Sequence, residues 1–355
     1  MACITLIIRH FKKRSWENCY RLSWVDFKND TSVNTKFIGV KKFEEEIQLL
    51  KKFTRIISLN DYVNDHVDDT KLNVAITFDD GFENNFSLAK PLLEKYEAPA
   101  TFFICPLWHQ EKNVLWPDLI DHASPYAPTC ITVGNEEYKK DRWGRYFHSS
   151  GEPINKHITK QNRIFIEKLY DAFLPYAHFM KIKSMAPYWK LMSATQVKQL
   201  SQNSLFTIGS HGYTHTHLTF LSNEEVTDEL TSSKQTLESV IEKKVFFFAA
   251  PFGGYDERTV HLTRQANYSH QLFAQLDVAG NIKANDIIHR FSTNPYLSAY
   301  NQVLFIANKN FELPLRTSFR FQSASSTVAL LQSLQKAIAG FLFRFQIQHC
   351  ASNQK

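Results

Sequence analysis

The sequence VAITFDDGFENN, residues 74–85, joins a β-rich apolar run to two adjacent aspartates and a glycine. The run predicts a buried strand that ends abruptly at Asp79-Asp80-Gly81. Neighbouring carboxylates repel each other, so this pair indicates either an Asx turn that closes the strand or a nearby need for both charges. A metal ion and a proton to be moved are the two needs that fit.

Strands and helices alternate on both sides of this stretch. Residues 3–10 (CITLIIRH) predict a first strand, residues 41–53 (KKFEEEIQLLKKF) an amphipathic helix, and residues 98–104 (APATFFI) a further strand. Alternation returns after residue 193, where serines at positions 193 and 222 are predicted to cap two helices. This rhythm favours a parallel sheet or barrel with helices outside it.

The rhythm is interrupted between about residues 108 and 190, where the sequence is polar and aromatic without a clear period. We predict a long insertion there that contains some helix. The last segment, STVALLQSLQKAIAGFLFRFQIQH, predicts an amphipathic helix that either packs on the barrel or touches a membrane surface. The expected organisation is a catalytic barrel over residues 1–312 and a helical tail over residues 313–355.

Composition limits the partners and the compartment. The formal charge of +6 is modest for 355 residues and the Lys and Arg residues are scattered, so no nucleic-acid partner is expected. Five cysteines without a CxxC pattern favour free thiols in a reducing compartment. The first residues lack the charge order of a signal peptide, and no apolar run reaches membrane-spanning length. We expect a cytoplasmic protein with at most peripheral membrane contact.

Two more polar segments follow predicted strands, SHGYTHTHL at residues 210–218 and FAAPFGGYD at residues 248–256. His211 and His215 have the i, i+4 spacing that lets two imidazoles ligate one metal ion. The alternative is a pair of solvated loop histidines. His217 lies on the other face and is a weaker candidate for a ligand.

The histidine pair offers a physical reason for the aspartate pair. One carboxylate can complete an Asp-His-His set, and the other can stay unligated and accept a proton from the water that the metal activates. Three protein ligands leave coordination positions open, as in catalytic metal sites. The sequence therefore predicts one divalent metal, with Zn as the first choice and Co, Ni, Fe or Mn as alternatives.

The motifs TFDDG, HGYTH and APFG, in this order, resemble those of the NodB-homology polysaccharide deacetylases, carbohydrate esterase family 4. The resemblance implies an α/β fold, an irregular (β/α)7-type barrel. It also implies a metal-dependent hydrolase that removes acetyl groups from an N-acetylated glycan or glycoconjugate. By the same resemblance Asp79 is the general base, and Asp80, His211 and His215 are the metal ligands.

The third motif departs from the family pattern R-x-P-Y, because Ala249 stands where the family has the arginine. The backbone N–H of Phe252 can still help to stabilise an oxyanion, since an amide needs no particular side chain. Arg290, in IIHRFSTNPY, is the candidate replacement, as in relatives that resemble poly-β-1,6-N-acetylglucosamine deacetylases. An arginine on the surface or bound to phosphate is the alternative.

The family's late L-x-L-H motif, whose histidine is the general acid, is also missing. In the same relatives the motif order is circularly shifted, and a histidine that ends the first strand takes this role. His10 is the matching residue here, with Arg9 where tyrosine is usual. A histidine that merely caps a strand end is the alternative.

Two other functions stay open at this point. A C–N hydrolase acting on a small amide or imide would use the insertion to build a closed pocket. A catalytically silent glycan-binding protein would explain the missing arginine of the third motif. Trp108, Trp116 and Trp143 are candidates for stacking on sugar rings, with core packing as the alternative.

Overall fold

The computed structural model describes residues 4–9, 19–22, 25–26, 38–68, 70–110, 113–274, 285–292 and 298–307. Within these ranges the strands are β1 (Ile4–Arg9), β2 (Cys19–Leu22), β3 (Val25–Asp26), β4 (Ile38–Gly39), β5 (Arg55–Ile56), β6 (Asn73–Phe78), β7 (Ala100–Ile104), β8 (Cys130–Val133), β9 (Glu136–Lys140), β10 (Tyr146–His148), β11 (Phe206–Ser210), β12 (Phe247–Ala249), β13 (His270–Ala274) and β14 (Ile287–Ser292). The α-helices are α1 (Val40–Phe53), α2 (Leu59–Val63), α3 (Lys90–Lys95), α4 (Trp116–Ala123), α5 (Ile154–Ile158), α6 (Arg163–Phe173), α7 (Ala194–Gln202), α8 (Asn223–Ile241), α9 (Glu257–Gln265) and α10 (Ala299–Ala307).

Seven strands run parallel in one sheet, in the order β5, β6, β7, β11, β12, β13 and β14. Strand β1 pairs antiparallel with both β6 and β14, so it joins two separated strands of the parallel sheet, and it also pairs with β2. This arrangement confirms the predicted irregular (β/α)7-type barrel. It also differs from simple strand–helix alternation, because the first strand runs against the others.

Strand β6 is buried along its whole length, which explains its largely apolar sequence. All six of its residues are buried, since helices cover one face of the parallel sheet and the barrel interior covers the other. On the helix side, Phe78 stacks on Phe102 of β7 with 4.8 Å between ring centroids, and Phe43 of α1 meets Phe78 edge to face. On the inner side, Ala75 belongs to a smaller cluster with Phe103 and other residues of the central strands.

Helix starts follow their sequence signals. The Ser193 and Ser222 side chains accept hydrogen bonds from the backbone N–H groups of Gln196 and Glu225, in capping boxes at the starts of α7 and α8. Helix α1 buries Phe43 and two further apolar residues at helical spacing, as its pattern predicts. Local sequence signals therefore account for where α7 and α8 begin and for which face of α1 is buried.

The insertion between residues 108 and 190 is a folded unit with its own core. Strands β8, β9 and β10 form an antiparallel sheet, and helices α4 and α6 bury large side chains around it. Among the helices described, none is both long enough and apolar enough to cross a membrane. Residues 313–355 lie outside the described residues, so the predicted tail and the boundary at residue 312 stay predictions.

Candidate functional site

The polar segments singled out in the sequence meet at one edge of the sheet. Asp79 and Asp80 follow β6, His211 follows β11, and Phe252 lies three residues after the end of β12. Because these strands are parallel, their carboxyl ends lie at the same edge, where ligand sites of α/β folds form. The fold thus brings together residues that are distant in the sequence.

Asp80, His211 and His215 converge on one point. The Nε2 atoms of His211 and His215 lie 3.1 Å and 3.2 Å from Oδ1 of Asp80. The three side chains are buried and offer ligand atoms that all lie within 4.8 Å of one another. The predicted ligand set is therefore assembled in the interior of the protein.

The chemistry of these donors fits a metal ion. Nδ1 of His211 lies 2.7 Å from the backbone oxygen of Ala249, which can only accept, so Nδ1 carries a hydrogen and Nε2 is the ring nitrogen that faces Asp80. Burial, as the largest effect, lowers the pKa of His215 to about 4, so this imidazole is neutral near pH 7. Burial would raise the pKa of Asp80, but the neighbouring imidazoles help to hold it well below its usual value. A cation at this point would satisfy acceptor atoms that otherwise face each other.

Asp79 faces a different partner. Its Oδ1 and Oδ2 accept hydrogen bonds from Nη1 and Nη2 of Arg290, at 2.7 Å and 2.8 Å. Both side chains are buried, and Nη1 of Arg290 also lies 3.4 Å from Oγ1 of Thr77. The structure thus brings the late arginine of β14 to the first aspartate in the two-point geometry typical of Arg–carboxylate pairs.

Backbone strain is concentrated at the same residues. Asp80, His215 and Phe252 have φ values of 73°, 58° and 59°, in the left-handed region that residues with a Cβ seldom adopt. Each such residue costs about 1–3 kcal/mol, and such costs are common at binding and catalytic sites. Gly81, next to Asp80, has a φ of 82°, where glycine is free of this penalty. The turns of all three motifs are held in demanding conformations.

The Phe252 ring closes one side of the site. Its centroid lies 4.7 Å from that of His215 and 6.0 Å from that of Trp116. His217 is not part of the ligand cluster and stacks on Phe252, with 5.9 Å between centroids.

The three tryptophans have different environments. Trp116 is only 1% exposed and donates from Nε1 to the backbone oxygen of His215 at 3.0 Å, so of the two readings of this residue the structure supports core packing and not stacking on sugars. Burial in the insertion core makes it a support for the histidine loop. Trp108 is half-buried against the barrel core. Trp143 is 64% exposed and stays a candidate for stacking.

Sequence reasoning missed Glu229. This residue of α8 is 1% exposed, and it accepts hydrogen bonds from the backbone N–H groups of Tyr213 and Thr214, between the two histidines. Its position between the buried residues Val226 and Leu230 was the available signal, because a carboxylate on the core face of a helix needs a buried partner.

His10 lies outside the described residues, so its role stays a prediction. The preceding residue, Arg9, pairs with Asn73, the first residue of β6, whereas Asp79 follows the last residue of that strand. Because β1 is antiparallel to β6, the last residue of β1 lies at the start of β6, at the opposite end of that strand from Asp79.

The family model for polysaccharide deacetylases matches residues 66–270, which is more than half of the 355 residues and contains the first three motifs. The chain belongs to the polysaccharide deacetylase family. Enzymes of this family remove acetyl groups from glycans. No curated protein is similar enough to this deacetylase to match it.

Several solved structures are similar to this deacetylase. The deacetylase PplD of Streptococcus pyogenes, in complex with acetate, has a TM-score of 0.50 at 15% identity, over 80% of this chain and 94% of that one. BC0361, a polysaccharide deacetylase from Bacillus cereus, has a TM-score of 0.49 at 15% identity, over 81% of this chain and 67% of that one. IcaB from Ammonifex degensii has a TM-score of 0.46 at 15% identity, over 81% and 96%. At such identities the likeness concerns the fold alone.

Proposed function

We propose that this deacetylase is a metal-dependent hydrolase that removes acetyl groups from the N-acetylated sugars of a glycan or glycoconjugate. Membership of the family supports the reaction class. The observation that carries the proposal is the convergence of three buried ligand atoms next to a second, separate carboxylate that pairs with an arginine.

Asp80, His211 and His215 would hold the metal ion. Two imidazole nitrogens and one carboxylate oxygen suit Zn²⁺, and Co, Ni, Fe or Mn are the alternatives. When bound, the metal supplies a Lewis acid that polarises the acetyl carbonyl and lowers the pKa of the attacking water. Nε2 of both imidazoles faces Oδ1 of Asp80, which is the arrangement that binding to one metal ion requires.

Asp79 removes the proton from the attacking water. An ionised carboxylate offers about four acceptor positions. Arg290 occupies one position on each oxygen, which orients the carboxylate and leaves lone pairs for the water. The backbone N–H of Phe252 donates a hydrogen bond to the acetyl carbonyl oxygen, which becomes negatively charged when water attacks the carbonyl carbon.

The leaving amine needs a proton as the C–N bond breaks. The sequence resemblance proposes His10 for this step, whereas the residue before it, Arg9, pairs with Asn73, at the opposite end of β6 from Asp79. The test is the pH profile of a His10→Ala variant, which should lose the limb of the rate profile that reports the general acid. An unchanged profile would remove His10 from the mechanism.

Acetate release by the full-length protein tests the main proposal. Metal-free protein should release no acetate from oligomers of N-acetylglucosamine, and added Zn²⁺ should restore release. The Asp79→Asn variant should lose about 10²–10⁴-fold in rate, the usual contribution of a general base. The matched control is Asp228→Asn, on the exposed face of α8, which should keep full activity. Full activity of Asp79→Asn would refute the base assignment.

Two other functions are outcomes of the same experiment. A silent glycan-binding protein was favoured by the missing arginine of the third motif, and the Asp79–Arg290 pair weakens that argument. It would be supported by sugar binding without turnover in the zinc-loaded protein. Turnover of ureides or cyclic imides but not of glycans would instead favour a C–N hydrolase for small substrates.

A further inference from the structure

The loop between His211 and His215 has a backbone conformation that its own residues do not favour. It contains left-handed φ values at Gly212 (77°) and His215 (58°), and it carries both imidazoles of the proposed metal site. A strained loop keeps such a conformation only where surrounding groups impose it. The question is which side chains impose it here.

Glu229 contacts this loop from the side opposite to the solvent. Its Oε2 accepts from the Tyr213 N–H at 2.8 Å and from the Thr214 N–H at 2.9 Å, and its Oε1 accepts from Oγ1 of Thr214 at 2.5 Å. Three hydrogen bonds to one carboxylate are enough to offset much of the cost of burying it. Burial still raises the pKa of Glu229.

The packing around the carboxylate is built for this contact. A Cβ at Gly212 would lie 3.3 Å from the Pro251 ring, a tight contact, and 3.4 Å from Oε2 of Glu229, so the carboxylate lies in van der Waals contact with this part of the loop. Arg163, from the insertion, lies over the Tyr213 ring at 4.9 Å, and its charge acts to lower the pKa of Glu229. The positive charge of Arg163 therefore lowers the free-energy cost of burying the Glu229 carboxylate.

We propose that Glu229 is a positioning residue that fixes the loop from His211 to His215, so that both imidazoles reach the same metal ion. The proposal rests on the metal site proposed above. Glu229 acts through the backbone N–H groups of Tyr213 and Thr214 and through the Thr214 hydroxyl. Partners behind metal ligands typically contribute 10–100-fold to metal affinity, which gives the expected size of the effect, about 10–100-fold.

Metal affinity of the full-length protein tests the proposal directly. We would measure Zn²⁺ affinity by competition with a chromophoric chelator, and ligand geometry by the visible spectrum of the Co²⁺ form. Glu229→Ala should weaken Zn²⁺ binding by about 10–100-fold and change the Co²⁺ spectrum. Glu229→Gln should recover most of the affinity, because its amide oxygen can accept from both N–H groups. Asp228→Ala, on the exposed face of the same helix, is the matched control and should change nothing.

A second variant keeps the test sharp if Glu229→Ala does not fold. Thr214→Val has a similar shape and removes only the hydroxyl that donates to Glu229, so it should cause a smaller loss of affinity. Parent-like Zn²⁺ affinity and Co²⁺ spectra in both Glu229→Ala and Thr214→Val would overturn the proposal. So would a Glu229→Gln variant as weak as Glu229→Ala, because the effect would then come from charge. If the parent protein itself bound neither Zn²⁺ nor Co²⁺, the proposed function would fail instead.

Discussion

The Asp79–Arg290 ion pair allows a quantitative test of the site. The two side chains are 1% and 6% exposed and are joined by two short hydrogen bonds. Removing one partner of such a pair leaves a buried charge without compensation, which costs about 3–5 kcal/mol. Replacing both partners by apolar residues of similar size is often nearly neutral. We therefore expect Asp79→Leu and Arg290→Met each to lower the free energy of unfolding strongly. The double variant should lose far less unfolding free energy than the sum of the two single losses.

The measurement is a double-mutant cycle by urea unfolding of the metal-free protein at pH 7. With costs of about 3–5 kcal/mol for each single variant and a nearly neutral double variant, the coupling free energy should be about 6–10 kcal/mol. It should depend little on salt, because buried pairs are weakly screened. All three variants should also lose acetate release, since each removes the base or the group that orients it.

The control cycle uses an exposed ion pair. Lys198 and Glu242 are in contact at 2.7 Å with much of both side chains exposed, so their coupling should stay within about 0–1 kcal/mol. A coupling below about 0.5 kcal/mol for Asp79 and Arg290, the limit for independent sites, would refute the reasoning about this pair.

Three further perturbations follow from the contacts of the site. His211→Ala removes a ligand, so Zn²⁺ affinity in a chelator competition should fall by more than the ~10–100-fold that loss of an outer partner costs; parent-like affinity would contradict the ligand assignment. The depressed pKa of His215 means that the unfolded chain binds more protons, so the stability of the metal-free protein in urea should fall as pH is lowered from 6.5 to about 4; a flat profile would contradict this. Trp116→Phe leaves the buried carbonyl of His215 without its donor and should cost about 1–3 kcal/mol, again measured in urea, whereas exposed Trp143→Phe should change stability little.

The cluster of Asp80, His211 and His215 was predictable from the sequence because its signals are local. The aspartate pair directly follows an apolar strand, and the spacing of His211 and His215 already restricts where two imidazoles can point. Parallel strands then place these segments at one edge without further information. The barrel was predictable for a related reason, since each strand and helix carries its own period and caps.

Contacts between distant segments were not predictable in the same way. Nothing near Trp116 in the sequence says that its indole will support the His215 loop, because the contact depends on how the insertion packs. The direction of β1 is decided by pairing with β6 and β14 and not by its own residues, which suit either direction. Such features follow from tertiary packing, which a single sequence encodes only indirectly.

The position of the arginine illustrates why a motif can be broken while its geometry is kept. Ala249, which stands where the family has the arginine, is fully buried in a cluster with Phe103. The guanidinium of Arg290 lies 5.3 Å from the same Phe103 ring, although Arg290 belongs to β14, two strands away from β12, which carries Ala249. Because neighbouring strands are only about 4.8 Å apart, a long side chain from either strand can cross the interior to Asp79. The guanidinium therefore reaches Asp79 from β14, while a small residue, Ala249, stands at the end of β12.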